Sequence, residues 1–151
     1  MAFLRFEDLR VFKLAEKLCD DIWGIATSWK YFEKNTVGIQ LVKAADSIGA
    51  NIAEGAGRGT PKDNKRFVRI SRGSLNETKY WLRRACRRNL ISKEQDAYFR
   101  QIIEDLGPQL NAYLKSIGRN TKPNTKHQTL ITYHAQNKST SRNVIQQNCG
   151  R

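Results

Sequence analysis

The sequence predicts an all-α fold, an up-down four-helix bundle with a disordered basic C-terminal tail. Three observations predict it. Apolar residues recur at spacings of three and four through four successive stretches, no stretch shows the alternation of a half-buried strand, and the periodicity stops at Gly118. The expected division is therefore residues 1–118 as the bundle and 119–151 as a flexible basic tail.

Helix one is predicted from Glu7 to Trp29, because Val11, Leu14, Leu18, Ile22, Ile25 and Trp29 share one face. A break is expected around Glu33 to Gly38. Leu41, Ala45, Ile48 and Ile52 then resume the spacing as helix two, which Gly55 or Gly57 is placed to stop by adopting a left-handed conformation. Helix three has a well-marked start: Thr60 as cap, Pro61 at the first helical position and Asp63 where a capping-box acid reaches back. It should run to about Asn89. Ser92 and Gln95 repeat the start signal, and Tyr98, Ile102, Leu106, Leu110, Tyr113 and Ile117 carry helix four to the neighbourhood of Gly118, with a kink expected at Pro108. Residues 119–151 hold six Lys or Arg, no acid and no apolar period, a composition too polar to offset the entropy of ordering.

The chain has 151 residues, with 27 Lys and Arg against 14 Asp and Glu, a formal charge of +13. Such a balance favours a polyanionic partner, nucleic acid or an anionic membrane surface. Cys19, Cys86 and Cys149 are odd in number and far apart, which suits reduced thiols in the cytoplasm better than a zinc site or disulfide framework. The N-terminus lacks the apolar run of a signal peptide, and no segment approaches the roughly 20 apolar residues of a membrane span.

The stretch NIAEGAGRGTPKDNKRFVRISRGS, Asn51 to Ser74, concentrates four of the ten glycines. It matches neither phosphate-binding motif: the glycines follow a helix, their order is G-A-G-R-G, and no Lys-Ser or Lys-Thr comes next. A corner between two helices is the simpler reading. Carboxylate-bridged metal bundles need Glu-x-x-His pairs on the helices, whereas His127 and His134 both fall in the expected tail, with Cys149. Glu54 and Glu77 have neither a nucleophile nor a histidine beside them, and Ser71 and Ser74 lack a base, so ion pairing at the bundle end accounts for the acids. No metal, cofactor or catalytic set is expected.

Helix three carries the functional signal. At 100° per residue Phe67, Ile70, Ser74, Leu75, Thr78, Trp81, Leu82, Ala85 and Cys86 fall on an apolar arc of about 160°. Lys62, Lys65, Arg66, Arg69, Arg72, Lys79, Arg83, Arg84 and Arg87 occupy most of the opposite arc, with Asn76 and Tyr80 among them. A merely solvated face usually mixes signs, because opposite charges support one another at i, i+4; this one stacks positives that repel. An anion would neutralise them. Tyr80 among the arginines is placed to stack on a base. RRACRR, Arg83 to Arg88, has no exposed apolar flank to sit in lipid, which disfavours a membrane.

The run SIGANIAEGAGRGTPKDNKRFVRISRGSLNETKYWL, Ser47 to Leu82, resembles the signature of the bacterial four-helix-bundle family of 23S rRNA intervening-sequence proteins. The opening FEDLRVFKLAEKL is similar to that family's start, so the likeness covers about residues 3–118 and leaves the tail outside. Gly49 departs from the pattern, which commonly has proline there. The resemblance implies a homopentameric barrel and kinship with accessory proteins of diversity-generating retroelements, basic bundles that bind a reverse transcriptase and nucleic acid. It implies no catalytic activity. The combined expectation is a non-enzymatic homo-oligomer that binds RNA or DNA through phosphates, using helix three and the tail. The alternative is a scaffold docking a protein partner such as a reverse transcriptase.

Overall fold

The computed structural model describes residues 5–119. Its four long helices are α1 (Arg10–Thr27), α2 (Ile39–Gly57), α3 (Pro61–Arg87) and α4 (Lys93–Ser116), and the described residues include no strand. The expected tail, beyond its first residue, lies outside the described residues.

Helix α1 buries Val11, Phe12, Ala15, Leu18, Ile22 and Ala26, a face repeating every three or four residues. A 3₁₀ turn at Phe6–Asp8 precedes it, and the Phe6 ring meets Phe12 edge-on at 4.9 Å. The helix stops at Thr27, two residues before the predicted end. Only residues 28–30 separate it from the next helical turn.

The break expected at Glu33 to Gly38 is not there. Tyr31–Glu33 is helical, Lys34–Gly38 widens into a π-helical turn, and α2 follows without interruption. Side chains that usually favour turns here serve the helix: the Asn35 amide donates to the Tyr31 carbonyl at 2.6 Å and the Thr36 hydroxyl to the Phe32 carbonyl at 2.7 Å. Neither Gly55 nor Gly57 stops α2, since both are helical. Gly59 does, two residues past the end, with φ +76°.

The later boundaries match their sequence signals. Thr60 Oγ1 accepts from the Asp63 backbone N–H at 3.1 Å and donates to the Asp63 carboxylate at 2.6 Å. At the other end of α3, Asn89 adopts φ 54°, and the N–H groups of Asn89 and Leu90 return to the carbonyls of Cys86 and Ala85 at 3.1 and 2.9 Å. That pairing closes the helix as a Schellman motif. Ser92 and Gln95 form the full reciprocal capping box, at 2.9 and 3.1 Å. Helix α4 runs through Pro108, which leaves the Glu104 carbonyl without its i+4 donor, and Gly118 follows its end with φ +76°.

Short connections make sequential helices antiparallel neighbours, and α1 also packs on α4. Helices α1 and α3 are therefore diagonal across the bundle, as are α2 and α4. Leu18, Ile22, Leu41, Ile48, Ile52, Val68, Leu106 and Leu110, drawn from all four helices, are fully buried at the centre. None of the described helices is long and apolar enough to cross a membrane.

The α2–α3 seam is the tightest. The buried Ser71 hydroxyl donates across it to the Ile48 carbonyl at 2.8 Å. One end of the seam closes at Gly55, where a Cβ would meet Asn64 Oδ1 at 2.8 Å and Phe67 Cβ at 2.9 Å. Phe67 Cβ is fixed to the backbone and cannot give way cheaply. Gly55→Ala should therefore lower stability by about 1–2 kcal/mol, overpacking outweighing the gain in helix propensity. Gly73, midway along α3 with nothing within 4 Å of its would-be Cβ, provides the control, and Gly73→Ala should raise stability by up to about 1 kcal/mol. Urea melts of the two variants check both signs.

Candidate nucleic-acid interface

Seven residues of α3 are buried, Val68, Ser71, Ser74, Leu75, Thr78, Leu82 and Ala85, within about 120° of the helix circumference. The arc is narrower than predicted and turned from it. Ile70, expected inside, is 43% exposed, while Val68 and Ser71, left out of the predicted arc, are fully buried. Small hydroxyl side chains fit this close seam: Ser71 bonds α2, and Ser74 and Thr78 bond carbonyls of their own helix at 3.2 and 2.8 Å.

The nine cations lie opposite, spread over about 140°. From Lys62 to Arg87 the stripe extends about 37 Å along the axis. Lys62, Arg66, Arg69, Arg72, Lys79, Arg83 and Arg87 are exposed, as is Tyr80. Lys65 and Arg84 are half-buried. The Lys65 ammonium leans beside Gly118, where it complements the carbonyl end of α4. That local role removes Lys65 from the free part of the stripe.

The electrostatic state of the stripe is its decisive property. Among the described residues four ion pairs form, Arg5–Glu7, Lys17–Asp21, Arg58–Glu54 and Arg100–Asp96, and none uses a cation of α3. The helix has only two acids of its own, Asp63 and Glu77. Asp63 is occupied by the cap, and Glu77 accepts from the Trp81 indole at 3.5 Å. Glu54, the other acid of the glycine stretch, is taken by Arg58, whose guanidinium also lies 5.1 Å from the centre of the Phe67 ring.

One wall of the stripe turns into a groove of about 420 Å³ between α3 and α4. Asn76, Lys79, Tyr80 and Arg83 line it from α3, at i, i+3, i+4 and i+7; Asp96, Phe99, Arg100, Ile103 and Glu104 face them from α4. Sequence reasoning missed the α4 wall. The same helical spacing was legible there, but which face of α4 meets α3 depends on the register between helices. The Tyr80 ring is held edge-on to Trp81, centroids 5.1 Å apart at 78°, and remains 49% exposed.

Among the described residues no group of three or more His, Cys, Asp or Glu is placed to hold a metal; His127, His134 and Cys149 lie outside them. Burial, with Asp46 nearby, pushes the Cys19 thiol up to about 12, and it donates to the Ala45 carbonyl at 3.1 Å. At neutral pH it is a packed thiol and not a thiolate.

A family model described as 23S rRNA-intervening sequence protein matches residues 7–112, which take in all four helices but for the last turn of α4. The crystal structure of a protein of unknown function from the S23 ribosomal protein family of Bacteroides thetaiotaomicron has a similar fold. It is 23% identical, with a TM-score of 0.65 over 70% of this chain and 96% of that one. No curated protein matches the chain at a significant level.

Proposed function

We propose the following function for this chain, which belongs to the 23S rRNA-intervening sequence protein family: it binds nucleic acid through phosphate contacts along the outward face of α3, without catalysing a reaction on it. The observation that carries the reading is the stripe of α3 cations, none of them in an ion pair among the described residues. Like charges at i, i+3 and i+4 destabilise a helix by a few tenths of a kcal/mol per pair, and a bound polyanion reverses that sign. Phosphate contacts position a ligand and do not read its sequence. The family description names an rRNA insertion, which makes structured RNA the natural first probe.

Self-association belongs to the same proposal. Trp23, Tyr31 and Phe32 are 60, 84 and 73% exposed at the α1–α2 end of the bundle, a costly display of aromatic surface for a monomer. Trp29, in contrast, is half-buried against the chain's own core. An oligomer repeats the α3 stripe, so modest contacts sum through avidity. Light scattering at micromolar concentration should give a mass of several chains, and Tyr31→Asp with Phe32→Asp should reduce it to one chain with the helical signal intact. A wild-type monomer would remove the oligomer from the proposal.

The binding claim is tested by salt. Log affinity for a generic RNA or DNA should fall linearly with log salt, by about 0.7–0.9 per phosphate neutralised. Replacing Arg69, Arg83 and Arg87 together by Ala should lower that slope by about 2–3 and weaken all sequences alike. Unchanged affinity and slope in the folded triple variant would show that α3 is not the binding face.

A further inference from the structure

The α3–α4 groove differs from the rest of the stripe in three ways. It has an apolar floor of Leu82, Phe99 and Ile103, an exposed aromatic ring at its lip, and walls of opposite charge. Lys79 and Arg83 stand on the α3 side. On the α4 side Asp96 is held by Arg100 at 2.7 Å, whereas Glu104 forms no ion pair among the described residues. A phosphate backbone alone does not explain such a site, because on the α4 wall two carboxylates, Asp96 and Glu104, outnumber the one guanidinium, Arg100, whose charge they share.

A nucleotide entered by its base does explain it. The volume lies within the roughly 300–1,000 Å³ of small-ligand sites. Tyr80, its ring edge-on to Trp81, offers a stacking platform of the kind that binds unpaired bases. A carboxylate accepts hydrogen bonds, so it selects bases with adjacent donors. Guanine alone presents two of them side by side on its Watson–Crick edge, N1–H and the 2-amino group, geometrically matched to both carboxylate oxygens. In a duplex that edge is already paired and the base face is stacked.

Building on the proposed phosphate-binding role of α3, we propose that the α3–α4 groove seats an unpaired guanine nucleotide, its base on Tyr80, its Watson–Crick edge toward Glu104 and its phosphate on Lys79 and Arg83. The protein then prefers single-stranded segments to duplex, and guanine to the other bases, within otherwise sequence-independent binding.

The test uses fluorescence anisotropy on the full chain over a series of salt concentrations, with three labelled RNAs: a single strand containing guanines, the same strand with inosine in their place, and its duplex. Inosine lacks only the 2-amino donor. Tyr80→Ala should weaken the guanine strand about 5- to 100-fold, leave duplex binding and the salt slope unchanged, and be rescued by Tyr80→Phe. Glu104→Ala should abolish the preference for guanine over inosine whatever it does to overall affinity. Both side chains are exposed, and circular dichroism verifies the fold of each variant. If neither variant alters the single-strand preferences while the triple arginine variant still weakens binding, the guanine site is wrong and the phosphate reading stands. If the wild-type protein binds none of the three RNAs, the phosphate reading fails and this site with it.

Discussion

The rotation of α3 about its own axis is the constraint on which the structure turns. Nine cations on one helix must face water or an anion, because taking an unpaired charge into a low-dielectric interior costs several kcal/mol. A turn of one residue, 100°, would bring members of the stripe into the bundle. What fixes the angle is the α2–α3 seam: the Ser71 hydroxyl on the Ile48 carbonyl at its middle, and the contact of Gly55 with Asn64 and Phe67 at its end. A small polar residue and a residue without Cβ allow the helices so close.

Everything functional in the bundle follows from that orientation. Helices α1 and α3 are diagonal, so the cation stripe lies across the bundle from α1, whose Lys17 and Asp21 meet the Tyr98 hydroxyl of α4 at 2.7–3.0 Å. The α3 side carries nine cations without an ion pair among the described residues and, at its edge with α4, a groove lined by Lys79 and Arg83 on one wall and by Asp96, Arg100 and Glu104 on the other. The protein thus concentrates its excess charge where a ligand can reach it, in place of the mixed surface that solubility alone would favour.

Much of the fold was legible because its signals are local. Thr60, Pro61 and Asp63, like Ser92 and Gln95, act through hydrogen bonds within four residues, so a sequence reader needs no tertiary information to place them. The misread elements are those where context reverses a local preference. Asn35, Thr36 and Gly38 carry turn chemistry, yet a π turn absorbs them and the side chains of the first two bond back to helical carbonyls. Gly55 has the composition of a helix stop but serves as a close-approach point, and the stop falls to Gly59. Ile70 and Val68 exchanged places because periodicity places a buried face only approximately, and the neighbouring helix decides which residues at its edges are covered. For the same reason the α3 half of the groove could be read from the sequence and Phe99, Arg100 and Glu104 could not.

The claim that the outward face of α3 meets phosphate is tested most directly by differential lysine labelling, read by mass spectrometry, with and without saturating RNA. Lys62 and Lys79 lie on the stripe, whereas Lys13 on α1 and Lys43 on α2 are exposed elsewhere on the bundle. The account predicts that RNA shields Lys62 and Lys79 several-fold and leaves Lys13 and Lys43 unchanged. Protection confined to Lys122, Lys126 and Lys138, or spread equally over Lys13 and Lys43, would contradict it.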